Sequence, residues 1–121
     1  MVIRQNVKAL LFSGGIDSSA ILYWKRPNIS FYIDYGQRNS KGELRAVKII
    51  SKELKIPFEI ISVNCSKLGK GILSGDKTSP QEVLSEWWPY RNQLLITLAA
   101  MKGIQLGIKT LFIGSVKEDK I

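Results

Sequence analysis

Apolar and polar positions fall in alternating blocks along this chain. Residues 7–12 (Val-Lys-Ala-Leu-Leu-Phe) form a nearly unbroken apolar run, the pattern of a strand covered on both faces. The run stops at Ser13-Gly14-Gly15-Ile16-Asp17-Ser18-Ser19 and resumes as Ala20-Ile21-Leu22-Tyr23-Trp24. That order predicts strand, loop, then a helix over 18–25, with Pro27-Asn28 ending the helix. Residues 29–33 (Ile-Ser-Phe-Tyr-Ile) carry the β-branched and aromatic content of a second strand. Ser40 with Glu43 three residues on reads as a capping box. Leu44, Val47, Ile50 and Leu54 then give a helical core face, with Glu43, Arg45, Lys48, Lys52 and Glu53 as its solvated face. Pro57 breaks the pattern, and 58–63 reads as a third strand.

Residues 64–86 are irregular, with Gly69, Gly71, Gly75, Asp76 and Pro80. A stretch this long in a compact domain reads as a mobile flap near the substrate edge, and it carries Lys67, Lys70 and Lys77. An apolar helix over 93–101 follows, ending near Gly103 or Gly107, and 110–115 reads as a fourth strand. Alternating strands and helices imply one α/β domain over 1–121: a parallel open sheet of about four strands with helices on both faces.

The loop after the first strand has the residue types of an anion site. Gly14 and Gly15 permit positive φ and close backbone approach. The helix behind them offers N–H groups and a positive dipole end. Ser13, Ser18 and Ser19 add hydroxyl donors, completing a phosphate cradle. Asp17 has two readings, a first-turn carboxylate that helps cap the helix or a ligand of Mg²⁺ bridged to phosphate oxygens. The loop is not a GxxxxGK[ST] element, since it holds no lysine, and it is not GxGxxG.

Two further segments fall at strand or helix ends. Asp34-Tyr35-Gly36-Gln37-Arg38 follows the second strand, where ligands sit in open α/β sheets. It is either a plain turn around Gly36 or a second wall of the site. Trp87-Trp88-Pro89-Tyr90-Arg91-Asn92 leads into the last helix. Arg91 offers a planar fork to carboxylate or phosphate, and Asn92 can cap the helix or bond a purine-like edge. Trp87 and Trp88 suit core packing or a stacking wall equally. Gly114-Ser115 lies at the edge of the fourth strand.

Composition narrows the picture. The 121 residues suffice for one core, and 45% apolar with 23% charged residues is ordinary for a globular domain. No apolar run is long enough to span a bilayer. Charged residues and the loop occupy the first twenty positions, which argues against a secretory leader. Cys65, the single cysteine, permits no internal disulfide and no cysteine-based zinc site. An intracellular, cytoplasmic protein is the expectation. Histidine is absent, so proton transfer must come from Asp, Glu, Tyr, Lys or water. The net charge of +8 favours anionic partners. No basic run reaches five residues, so a solvated surface is expected rather than direct RNA contact.

Ser13-Gly14-Gly15-Ile16-Asp17-Ser18-Ser19 resembles the SGGxDS signature of the PP-loop ATP pyrophosphatases. Tyr35-Gly36-Gln37-Arg38 and Pro89-Tyr90-Arg91-Asn92, in the same order, resemble the 7-cyano-7-deazaguanine synthase branch of that superfamily. The resemblance implies a Rossmann-like fold of the adenine nucleotide alpha hydrolase type, with strand order 3-2-1-4. It implies an ATP- and Mg²⁺-dependent ligase that adenylates the carboxylate of 7-carboxy-7-deazaguanine. Ammonia then gives an amide, and a second ATP-dependent round gives the nitrile. The nucleotide would be held by Ser13, Gly14, Gly15, Asp17, Ser18, Ser19, Asp34, Gly36, Gln37 and Gly114. The substrate would meet Tyr35, Gln37, Arg38, Tyr90, Arg91 and Asn92. Asp17, Ser18 and Arg91 would act in catalysis, with Asp17 placing Mg²⁺.

Family members are nearly twice as long, and their C-terminal part binds zinc through a cysteine cluster that has no counterpart here. The chain is therefore expected to be an N-terminal part, a fragment or half of a split enzyme completed by a second subunit, and a homodimer is compatible with this. Two other readings stay open. One is a related enzyme that acts on tRNA, of the thiolation or lysidine type. The other is a non-catalytic nucleotide-binding module.

Overall fold

The computed structural model describes residues 6–68 and 91–114. Its elements alternate as expected: β1 (Val7–Leu11), α1 (Ile16–Lys25), β2 (Ile29–Asp34), α2 (Ser40–Leu54), β3 (Phe58–Ser62), a 3₁₀ turn (Ser66–Leu68), α3 (Arg91–Gln105) and β4 (Ile108–Ile113). All strand pairs are parallel, in the order β3-β2-β1-β4. Leu11 of β1 stands opposite Phe31 of β2 and Ile113 of β4, and Ile33 stands opposite Ile61 of β3. The order reverses direction between β1 and β4. A crevice opens at such a switch point, beyond the C-terminal ends of the strands.

Period-two alternation divides the core between the two faces of the sheet. Leu10, Phe12 and Tyr32 pack with Leu22 of α1 and with Leu44, Val47, Ile50 and Leu54 of α2. Ala9, Phe31, Ile33 and Tyr35 pack on the opposite face with Leu94, Leu95, Leu98 and Ala99 of α3. Ala9, Leu10, Leu22, Phe31, Val47 and Ala99 are completely buried. The apolar run over 7–12 thus reports a central strand sandwiched between helix layers.

Several boundaries differ from the sequence reading, each for a local reason. Helix α1 begins at Ile16 rather than Ser18, because Gly15 is already its N-cap. It ends in a left-handed residue, Arg26 (φ 47°), whose N–H bonds the Leu22 carbonyl just before Pro27. Helix α3 runs through Gly103 to Gln105 and turns at Gly107 (φ 76°). Gly103 stays inside the helix, buried, with the Ile108 Cβ 3.2 Å from where its own Cβ would be.

Glu43 departs furthest from expectation. It is neither part of a capping box nor on the solvated face. Asn39 is the N-cap of α2, with no side-chain cap bond. The Glu43 carboxylate instead turns inward to Tyr32 and Gln37.

Candidate functional site

The loop that leaves β1 is held in shape by its neighbours. Gly14 has φ 83°, and a Cβ there would lie 3.0 Å from both the Ala46 Cβ and the Glu43 carbonyl oxygen. The loop backbone is therefore seated on the first turns of α2, as only glycine allows. Gly15 begins α1, and the first intrahelical bond runs from the Ser19 N–H to its carbonyl at 2.9 Å. No side chain caps this end. The N–H groups of the first turn thus lack the usual side-chain acceptor. The Ser18 hydroxyl is buried and only loosely held, 3.4 Å from the Ser13 N–H and hydroxyl and 3.5 Å from the Gly15 carbonyl. Uncapped donors and spare hydroxyls at a helix N-terminus fit an oxyanion such as phosphate. Asp17 and Ser19 sit in the same first turn, Asp17 exposed.

The second wall follows β2. The Asp34 Oδ1 accepts the Gly36 N–H at 3.1 Å, which closes a tight turn. Gly36 has φ 98°, with the Ser66 backbone N 3.2 Å from where a Cβ would be. Gln37 is buried and its amide is fully engaged. Its Oε1 accepts the Tyr35 N–H at 2.8 Å. Its Nε2 faces the Glu43 Oε1 at 2.9 Å, the Tyr32 hydroxyl at 3.1 Å and the Ile33 carbonyl at 3.2 Å. Two amide hydrogens serve those three acceptors, so Gln37 shapes the wall from within. The Tyr32 hydroxyl in turn faces the Glu43 Oε1 at 3.0 Å and the Ser40 carbonyl at 3.2 Å. Burial, reinforced by the Glu43 charge, pushes the Tyr32 phenol well above its ordinary range.

A cavity of about 520 Å³ opens between these walls. Of the residues expected from sequence, it gathers Ser13, Ser18, Tyr35, Gln37, Arg91, Asn92 and Gly114. Gly114 ends β4 close to α1, the Ile21 Cδ1 lying 3.1 Å from where its Cβ would be. Arg91 and Asn92 begin α3, both exposed, with the Arg91 guanidinium 3.5 Å from the Asn92 Oδ1. Gly14, Gly15, Asp17, Ser19, Asp34 and Gly36 shape the loops around the cavity without lining it, and Arg38 points to solvent. Tyr90, Trp87, Trp88, Ser115 and the flap over 69–86 lie outside the described residues.

The sequence reading missed Tyr32 and Glu43, which line the cavity with Leu95 and Ile96 of α3. The Tyr32 side chain has the parity of a core strand position. The Glu43 carboxylate faces inward only because Gln37 and Tyr32 await it. Among the cavity's described lining residues, Arg91 is the one cation and Glu43 the one carboxylate.

Magnesium binds through one or two carboxylates plus phosphate oxygens and keeps several waters. Asp17 beside an uncapped helix end suits that pattern. Among the described residues no three His, Cys, Asp or Glu side chains cluster as a metal site, and Cys65 is buried in the core on the α3 side. No described helix is long and apolar enough to cross a membrane.

Comparison with known proteins places the chain among relatives of one kind. The chain is 35% identical to 7-cyano-7-deazaguanine synthase 1 of Desulfitobacterium hafniense, over 93% of the chain and 56% of that protein. It is 37% identical to the 7-cyano-7-deazaguanine synthase of Pyrococcus horikoshii, over 91% of the chain and 55% of that protein. A third relative, from Sulfurisphaera tokodaii, is 34% identical over 91% of the chain and 54% of its own length. The chain thus spans about half the length of the curated relatives it matches. The family model described as "Queuosine biosynthesis protein QueC" matches residues 8–121, from β1 onward. With that match added to the loop, the 3-2-1-4 sheet and the cavity at its switch point, the chain belongs to the QueC family.

Proposed function

We propose that this chain supplies the nucleotide-binding part of an ATP-dependent ligase that converts 7-carboxy-7-deazaguanine and ammonia to 7-cyano-7-deazaguanine, with release of AMP and pyrophosphate. The observation that carries the reading is the uncapped N-terminus of α1. It lies within the Ser13–Ser19 segment at the end of the central strand and opens on a cavity among whose described lining residues Arg91 is the one cation. The names of the relatives support the choice of substrate.

In this reading the main-chain N–H groups of residues 14–18 and the Ser13 and Ser18 hydroxyls hold the pyrophosphate. Asp17 would hold magnesium, which would supply positive charge to offset that of the departing pyrophosphate. The substrate carboxylate attacks the α-phosphorus, the bond to the pyrophosphate breaks, and an acyl adenylate forms. Ammonia then displaces AMP to give the amide, and a second ATP-dependent round activates the amide oxygen, which leaves with AMP as the nitrile forms. Arg91 faces the substrate carboxylate or the α-phosphate, and Asn92 faces the heterocycle. Tyr35 packs beside them, and Gln37 fixes the backbone that carries Tyr35. Rate enhancement comes from positioning and charge stabilisation, which needs no histidine.

The test is ATP–pyrophosphate exchange dependent on 7-carboxy-7-deazaguanine, with calorimetric binding of Mg-ATP measured alongside. Exchange supports the ligase reading for the chain alone. Binding without exchange makes the chain a nucleotide-binding subunit. Failure to bind Mg-ATP refutes the assignment of the loop.

A further inference from the structure

We infer that the outer face of α2 is a docking surface for the phosphate backbone of double-helical RNA, remote from the nucleotide cavity. Lys41, Arg45, Lys48 and Lys52 recur at spacings of four, three and four, and all are exposed. At 100° per residue they fall within an arc of about 60°, and Lys55 continues the row at the C-cap. From Lys41 to Lys55 the row is about 21 Å long, at 1.5 Å per residue. Among the described residues none of the five has a carboxylate within ion-pair distance, and the ion pair that is present joins Lys102 to Glu59 elsewhere.

Helix stability does not account for this row. Cations near a helix C-terminus complement the dipole, which covers Lys52 and Lys55. Lys41 and Arg45 lie near the opposite end, where a cation opposes the dipole. Like charges at i,i+4, as in Lys41–Arg45 and Lys48–Lys52, also destabilise a helix.

A second observation marks the lower end of the row. Lys48, Ser51, Lys52 and Lys55 line a shallow groove with Ile56, Pro57 and Phe58. Ser51 is 3% exposed, and its hydroxyl has no hydrogen-bond partner. Three lysines around one groove suit a phosphate group, with the Ser51 hydroxyl beneath the groove's floor. A straight row with a cation about every 5 Å matches a strand of regularly spaced phosphates. A-form strands set their phosphates closer together than B-form strands, which favours RNA. An acidic protein partner needs an apolar centre, whereas the groove's Ile56, Pro57 and Phe58 lie at one end of the row.

The experiment is fluorescence anisotropy of the chain with a labelled RNA duplex of about two helical turns. Five phosphate contacts give a slope of log affinity on log salt near −4.5, hence about 500-fold weakening from 50 to 200 mM salt. Lys48→Glu/Lys52→Glu, checked by circular dichroism to be folded, is expected to reduce the slope to about −2.7 and to weaken binding at 50 mM roughly tenfold or more. Lys8→Glu/Lys109→Glu makes the same change in net charge at exposed lysines of other strands, and it is expected to leave most of the affinity. Equal weakening by the two variants would show that binding follows net charge alone and overturns the inference. So does absence of binding, or displacement of the duplex by a polyglutamate peptide. A DNA duplex bound as tightly as RNA overturns the choice of RNA.

Discussion

Replacing Glu43 with alanine isolates the buried polar cluster behind the cavity. The carboxylate accepts from the Gln37 amide at 2.9 Å and the Tyr32 hydroxyl at 3.0 Å. Hydrogen bonds to a charged group contribute about 1.5–3 kcal/mol each, which sets an upper bound near 6 kcal/mol. Neither donor is orphaned, however. The Tyr32 hydroxyl retains the Ser40 carbonyl at 3.2 Å, and the Gln37 amide retains the Ile33 carbonyl at 3.2 Å. The expected net loss is therefore about 2 kcal/mol. Glu43→Gln keeps an acceptor at the same reach and should lose about 1 kcal/mol or less. Urea unfolding followed by far-UV circular dichroism reads both values, provided the slope stays constant. The reasoning is refuted if Glu43→Ala costs under 0.5 kcal/mol, or if Glu43→Gln costs as much as alanine. Either result would mean that the cluster adds nothing beyond packing.

Other outcomes follow from the same structure. Gly14→Ala places a Cβ 3.0 Å from Ala46 and from the Glu43 carbonyl, at φ 83°. It should cost about 2–4 kcal/mol, read as a lowered Tm, and an unchanged Tm would show that the loop can move off α2. Asp17→Ala removes an exposed first-turn carboxylate. Stability should change by less than about 1 kcal/mol, while calorimetry should show Mg-ATP affinity falling sharply; intact affinity would remove Asp17 from the metal role. The Tyr32 phenol is raised by burial and by Glu43. Its contribution is therefore complete below the unfolded value near 10 and lost as pH rises above that. Stability should fall by up to about 1.4 kcal/mol per pH unit above pH 10, and Tyr32→Phe should flatten that fall. An identical alkaline slope in the variant would place the titration elsewhere.

The parts legible in the sequence were those written in short-range pattern. The run over 7–12, the two glycines and the apolar block behind them specify strand, loop and helix within eighteen residues. Glu43 was misread because Ser40-x-x-Glu43 satisfies a local capping rule that a tertiary partner outcompetes. Its true partners, Gln37 and Tyr32, come from another turn and another strand. Gln37 looked like a ligand contact, and only the fold shows its amide to be engaged. The basic row escaped a reading based on run length, because its members are separated by three or four positions and align only when the helix is wound.

The Ser13–Gly15 turn continues the central strand β1, whose neighbours β2 and β4 flank that strand on both sides. Elements of that kind open only when the whole domain does. Amide exchange at Leu10, Leu11 and Phe12 should thus report global unfolding, so the strand that carries the turn stays in place as long as the domain is folded. Any substitution that erodes the core, however distant, lowers the population of intact sites in the same proportion.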